Sequence, residues 1–206
     1  VMWAISMLLL IAQRDLGATL LLFGVFLSML YMASSRAIYA WGGLGAFFSG
    51  AYLCFLLFSH VRLRVDIWLD PWSRAQEGGF QLVQALIAVA SGGILGVGLG
   101  YGYPEFIPAV FTDFIISAIG EEMGLAGSLA VVALYLVLVY RGFRIALDIP
   151  DGFPVLLAAG LTTVLGLQAV VILAGTLKLI PITGITLPFI SYGGSSIVTN
   201  YIILGL

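Results

Sequence analysis

The chain has 206 residues, 62% of them hydrophobic and only 9% charged, with a formal net charge of −2 and a mean hydropathy of +1.16. A soluble domain carries about 25% charged residues, so an ordinary water-soluble fold is excluded, and without a basic tract there is no footing for nucleic acid. The single cysteine, Cys54, excludes an internal disulfide scaffold.

A membrane-crossing helix needs about 20 mainly apolar residues. In chain order, residues 1–12 are apolar but short, and read as the end of a helix that starts upstream. After the polar knot Gln13-Arg14-Asp15, residues 16–33 form the first full span. The turn Ser34-Ser35-Arg36 leads to the second, 39–59. Residues 113–140 and 153–175 are the third and fourth, joined by a turn from Arg141-Gly142-Phe143-Arg144 to Gly152. Residues 197–206 begin a fifth that the chain does not complete, so the later part of a longer protein is expected. A membrane barrel would need strands of about ten residues in apolar–polar alternation, and none is visible. The expected fold is all-α, a polytopic transmembrane helix bundle forming a single membrane domain over 1–206.

One connection differs from the rest. Residues 60–112 hold Arg62, Arg64, Asp66, Asp70, Arg74, Glu77 and Glu105, seven of the chain's 18 charged residues and more than any other connection. Within this long loop, 80–90 is apolar apart from Gln81 and Gln84, which share a helical face. Such a helix reaches only about 17 Å, too little to span. It is expected to lie in the interface or re-enter part-way, which a membrane tolerates only against protein or a wet cavity. Arg14, Arg62, Arg64, Arg74 and Lys178 fall on one side of the spans, and Arg36, Arg141 and Arg144 on the other. Counting the long loop places it in the cytoplasm; the short connections alone vote weakly for an external loop.

Ionisable residues at membrane depth are costly and point to function. Asp113 opens the third span, and Ser117, Gly120, Glu121 and Gly124 follow at helical spacing. That puts two carboxylates and three small residues on one face, a candidate wall of a polar cavity. Asp113 or Thr112 reads equally well as a helix N-cap, which both types favour. Glu121 and Glu122 lie deeper, where capping is not available, and their open partners are buried donors, a cation or a structural ion pair. Arg14 and Asp15 read as readily as a local ion pair at a helix junction. Arg62, Arg64 and Arg74 are either solvated surface or a grip for a diphosphate headgroup, since guanidinium presents a fixed fork to phosphate oxygens. His60 has no second His or Cys at ligand spacing, which argues against a transition-metal site.

The run Gly92-Gly93-Ile94-Leu95-Gly96-Val97-Gly98-Leu99-Gly100 lacks the flanking strand of a dinucleotide fingerprint. Its glycines instead predict close backbone approach or tight turns. The last connection, with Pro181, Pro188, Gly193, Gly194 and three serines, predicts an irregular polar segment at a helix mouth. No serine there has a nearby histidine base, so nucleophilic hydrolysis is not expected.

Five motifs occur in order: Gln13-Arg14-Asp15-Leu16-Gly17; Trp68-Leu69-Asp70-Pro71-Trp72; Phe80-Gln81; Thr112-Asp113-Phe114-Ile115 with Gly120-Glu121-Glu122; and Pro188-Phe189-Ile190-Ser191-Tyr192-Gly193-Gly194-Ser195-Ser196. Together they resemble the SEDS family (shape, elongation, division and sporulation) of the RodA/FtsW type, over essentially the whole chain. The resemblance implies the later part of a ten-helix membrane protein. Arg14 stands where the family usually has proline. Pro108-Ala109-Val110-Phe111-Thr112-Asp113 lacks the carboxylate and histidine that the family commonly places before the aspartate. A histidine role therefore does not carry over, whereas Glu105 matches an upstream acidic position.

The resemblance implies a peptidoglycan glycosyltransferase acting on lipid II, the undecaprenyl-diphosphate-linked precursor. It would act at the outer side of the bacterial cytoplasmic membrane, where the loop 60–112 and Asp113 would lie. On that reading Asp113 is the general base for the acceptor hydroxyl. Arg62, Arg64, Arg74 and Lys178 face the leaving diphosphate, with a divalent cation (Mg or Mn) as an optional aid. Arg14, Asp15, Glu105, Glu121, Ser191 and Ser195 complete the expected substrate-binding set. The implied partner is a single-pass class B penicillin-binding protein, the crosslinking transpeptidase. A transporter that flips the lipid-linked precursor would use the same cavity and charges, and a non-catalytic scaffold would leave the buried acids without a role.

Overall fold

The computed structural model describes residues 15–150 and 152–206, Glu77 by its backbone alone. Seven α-helices run through them, with no strand among the described residues: α1 Leu16–Ser34, α2 Ala37–Leu57, α3 Ser59–Leu69, α4 Phe80–Gly92, α5 Ile115–Asp148, α6 Phe153–Thr176 and α7 Gly194–Gly205. Four of them, α1, α2, α5 and α6, are long and apolar enough to cross a membrane. The apolar stretch 1–12 lies outside the described residues.

Local chemistry sets the helix ends. Asp15 caps α1, its Oδ1 accepting from the Ala18 N–H at 2.9 Å. At the far end Ser35 turns left-handed (φ 53°), and its N–H donates to the Tyr31 carbonyl. Pro154 sits in the first turn of α6, where its missing N–H removes no helical bond.

Several boundaries differ from the sequence reading: among them, residues 141–148, read as a turn, continue α5 to Asp148. The long connection opens with α3 rather than with irregular loop. Its arginines and Asp66 mask a helix that buries Val61 and Ile67. The third span starts at Ile115, leaving Asp113 outside it; Phe114 takes the N-cap position and no side chain caps the helix. The last helix begins at Gly194, three residues earlier than expected.

The glycine run fills a break in α5. Gly124 is non-helical (φ 66°, ψ −163°), and two of the helical bonds that would cross it are replaced. The Leu125 and Ala126 N–H groups donate to the carbonyls of Gly93 and Ile94 at 2.9 and 3.0 Å. The Glu121 and Glu122 carbonyls accept from the N–H groups of Val97 and Gly98, both at 3.0 Å. Residues 93–98 thus complete the ladder of a broken helix, the condition for irregular backbone at membrane depth. The approach needs glycine: a Cβ on Gly96 would lie 2.1 Å from the Glu122 carbonyl oxygen.

Two apolar cores hold one end of the bundle. The first joins Ile67 of α3, Leu82, Ala85 and Ala88 of α4, and Ile107, Val110 and Phe114 of the connection. The second joins Tyr135 of α5, Ala169 and Ile172 of α6, and Leu187. In α4 the buried positions Leu82, Ala85, Ala88 and Gly92 form one helical stripe turned to protein. The start of α1 comes to the same end, Gly17 packing so closely on Thr183 that a Cβ would meet its carbonyl oxygen at 2.4 Å. The N-terminus of α1, the connection 58–114 and the segment 177–193 therefore gather at one mouth.

Candidate active site

Asp113 sits at this mouth on a tight turn ahead of α5. The N–H groups of Thr112 and Asp113 both donate to the Ala109 carbonyl, at 3.2 and 3.0 Å, and the Thr112 hydroxyl donates there at 3.1 Å. The last motif holds the turn from its other side. The Tyr192 N–H donates to the Phe111 carbonyl at 2.7 Å. The Ser191 hydroxyl donates to the Thr112 carbonyl and accepts from the Leu187 N–H at 2.9 Å. The Tyr135 hydroxyl, from α5, donates to the Pro188 carbonyl.

The half-buried Asp113 lines a cavity of about 10 Å³ with Thr176, Ile182, Thr183 and Gly184, room for about one water molecule. Burial pushes its carboxyl above the ordinary value, while the Thr112 hydroxyl and the Arg64 guanidinium pull it back in part. Arg64 itself donates to the Ile182 carbonyl at 2.8 Å. One helical turn on, the Trp68 indole N–H donates to the Lys178 carbonyl at 2.9 Å. The Lys178 ammonium returns the contact, donating to the Leu69 carbonyl at 3.3 Å. Helix α3 is thereby clasped to 178–182, which brings Arg64 to the seam beside Asp113's cavity, whereas the Lys178 charge acts on Asp70 at the end of α3.

The other expected residues disperse. Arg62 turns back to α2, donating to the Leu56 carbonyl at 3.1 Å with its guanidinium 5.7 Å from the centre of the Phe55 ring. Arg74 pairs with Asp66 at 3.6 Å, both partly exposed. Asp15 caps α1, and Arg14 lies outside the described residues. Glu105 is exposed on a short 3-10 turn, Pro104–Phe106. Ser191 is 1% exposed.

The face expected to line an open cavity with Asp113 is packed instead. Gly120 faces Val89 of α4, Gly124 faces Ile94 and Gly96, and Glu121 Oε1 accepts from the Tyr103 N–H at 3.1 Å. Nor does either residue proposed as a cap, Asp113 or Thr112, cap α5. Among the described residues no three His, Cys, Asp or Glu side chains cluster to hold a metal ion. The donor set thus offers no all-protein carboxylate cage, which a magnesium ion held by one or two carboxylates and substrate phosphates does not require.

Two features escaped the sequence reading. Tyr135 lies within a span, where a hydroxyl needs a partner; that requirement was the available signal. A groove of about 420 Å³ between α1, α6 and α7 is lined by the uncharged polar side chains Gln168, Thr186, Ser195, Ser196, Thr199 and Asn200. Gln168 donates to the Thr186 carbonyl at 2.7 Å, and the Thr186 hydroxyl to Ser196 Oγ at 2.8 Å. Amide side chains in apolar spans were the signal here.

Comparison with known proteins agrees with the motif order. Residues 1–206 match the profile of the family that spans FtsW, RodA and SpoVE, described as cell cycle protein. The peptidoglycan glycosyltransferase RodA of Mycobacterium tuberculosis is 46% identical over 204 residues, 99% of this chain and 44% of the relative. A probable peptidoglycan glycosyltransferase FtsW of Geobacter metallireducens is 40% identical over 208 residues, 100% of this chain and 56% of the relative. Among solved structures, a chain from a study of polymerization and crosslinking by a peptidoglycan synthase complex superposes with a TM-score of 0.73 at 33% identity, over 96% of this chain and 55% of that one. A point mutant of the Thermus thermophilus rod-shape-determining protein RodA gives 0.60 at 28% identity, over 97% and 51%. The chain spans about half the length of the curated relatives it matches. By the full-length match, the chain belongs to the FtsW/RodA/SpoVE family of cell cycle proteins.

Proposed function

We propose that this chain supplies the Asp113 side of the active site of a peptidoglycan glycosyltransferase that polymerises lipid II. The observation carrying the reading is the placement of Asp113: a half-buried carboxylate outside the spans, at a mouth to which Arg64 is also brought. Relatives named as peptidoglycan glycosyltransferases support it.

The proposed reaction is a single displacement. Asp113 takes the proton of the acceptor sugar's 4-hydroxyl as its oxygen bonds to the donor's anomeric carbon. The bond from that carbon to the diphosphate breaks, and undecaprenyl diphosphate departs with the electron pair. An α-linked donor thereby gives a β-linked product by inversion. The raised carboxyl of Asp113 strengthens it as a base, and the charge developing on phosphate is met by Arg64. In this reading the mouth faces outward from the bacterial cytoplasmic membrane. A class B penicillin-binding protein is the expected partner, supported by the similarity to a chain of a peptidoglycan synthase complex.

Strand synthesis from purified lipid II, by a full-length protein carrying this chain with its partner, tests the reading. Glycan polymers that disappear with Asp113→Asn support it. Transport of lipid II without any polymer would replace it with a flippase.

A further inference from the structure

We propose that Ser191 is a positioning residue for Asp113: its hydroxyl pins the peptide immediately before the aspartate and does not bind substrate. The inference rests on the proposed role of Asp113. Ser191 stands in a hydroxyl-rich segment and at first sight belongs with ligand-facing serines, but it is only 1% exposed. Both functions of its oxygen are engaged within the protein. It accepts from the Leu187 N–H at 2.9 Å and donates to the Thr112 carbonyl. No surface is left for a sugar or a phosphate.

The geometry explains why such a pin is needed. Asp113 lies on a turn, outside α5, and no side chain caps the helix that follows. Its peptide therefore takes its position from the turn centred on the Ala109 carbonyl and from what packs behind it. Ser191 reaches across 79 positions of sequence to hold the carbonyl of the residue before Asp113, and its neighbour Tyr192 holds Phe111. The segment that carries Ser191 is itself fastened to α5 by the Tyr135 hydroxyl on Pro188. Gln168 on the Thr186 carbonyl, and the Thr186 hydroxyl on Ser196, tie it to α6 and α7. Asp113 is thus located against three helices rather than by its own loop. General-base catalysis needs the carboxylate within about 3 Å of the proton it takes, and a displacement of about 1 Å can cost a hundredfold in rate.

Replacing the hydroxyl leaves a part-buried carbonyl and a buried N–H without this partner. The turn then relaxes toward water and the carboxyl moves back toward its ordinary value. The test compares parent, Ser191→Ala, Asp113→Asn and the double variant as full-length proteins at equal folded amounts, by rate of strand synthesis against lipid II concentration and pH. Expected for Ser191→Ala is a fall in kcat of about ten- to a hundredfold, a KM within about threefold of the parent's, and an acid limb with its midpoint at lower pH. In the Asp113→Asn background the same change should have no further effect, because residues that act through one another are not additive. A rise in KM with kcat retained would make Ser191 a substrate contact and overturn the proposal. So would a folded variant with parental kcat and pH midpoint. If Ser191→Ala does not fold, Ser191→Cys keeps the size and weakens the donor, and should show the same shifts to a smaller degree; parental behaviour of that variant also overturns it. Near-parental synthesis by Asp113→Asn would remove the base reading itself, whereas an inactive Asp113→Asn beside a parental Ser191→Ala would remove only the positioning role.

Discussion

The Arg64 guanidinium donates to the Ile182 carbonyl at 2.8 Å, and its charge is felt by Asp113. One side chain thus fixes a wall of the Asp113 cavity and opposes the effect of burial on its carboxyl. Arg62 and Arg74 do neither, being engaged by Leu56 and by Asp66.

The pH dependence follows from that difference. Burial raises the Asp113 carboxyl and Arg64 lowers it, and a base must be ionised to work, so activity is lost as pH falls through the raised value. Arg64→Gln removes the opposing charge. The acid limb should move to higher pH, with a fall in synthesis that is larger at pH 6 than at pH 8. Arg62→Gln and Arg74→Gln should leave the midpoint in place. A pH–rate profile of the three variants checks this, and an unmoved limb in Arg64→Gln would detach Arg64 from Asp113.

The seam between the glycine run and α5 should be among the least tolerant backbone in the chain. A Cβ on Gly96 would fall 2.1 Å from the Glu122 carbonyl oxygen, at a φ of +83°. Left-handed strain alone costs about 1–2 kcal/mol, and the clash adds to it. Gly96→Ala should lower the thermal midpoint of the protein in detergent by several degrees or abolish folding. Gly100→Ala is the informative contrast, since its φ is also positive (+74°) but nothing lies within 4 Å of the added carbon. Equal loss in both would mean that strain, rather than the seam, governs the effect.

Trp68→Phe keeps an aromatic ring but removes the N–H that holds the Lys178 carbonyl. A lost hydrogen bond of this type costs about 0.5–1.5 kcal/mol, so a small drop in thermal midpoint is expected. Faster amide hydrogen exchange confined to 177–182 should accompany it. Unchanged exchange there would show that Lys178 on the Leu69 carbonyl suffices as the clasp.

Long apolar runs made the four spanning helices legible, and a short one made α4 legible, because a spanning helix announces itself by length and hydropathy alone. Helix α3 was hidden by Arg62, Arg64 and Asp66, whose charges read as loop although Val61 and Ile67 are buried. The glycine run was readable as a place of close approach, but its partner was not. The break at Gly124 lies in an unbroken helical pattern, and only residues 93–98 give it a reason. Asp113 stood out as an acid beside a span. That Arg64 joins it, while Arg62 and Arg74 turn away and Lys178 goes to Leu69 and Asp70, depends on a carbonyl more than a hundred positions distant for Arg64 and on local partners for Arg62 and Arg74. Such pairings leave no periodic trace. Ser191 is the same case, its hydroxyl engaged by Thr112 and Leu187.

The central claim is that Asp113 is the base, and the most direct measurement is strand synthesis from purified lipid II by parent and Asp113→Asn. Asn keeps the size of the side chain. Because burial raises the Asp113 carboxyl in the folded protein, folding favours its protonated form, and stability from this group declines as pH rises through the window between the ordinary and raised values. The neutral Asn variant should therefore be as stable at neutral pH as the parent, and any loss of rate belongs to the chemistry. The account predicts a fall of about 10²–10⁴-fold at equal folded amounts with partner present; synthesis by Asp113→Asn at near-parental rate would contradict it.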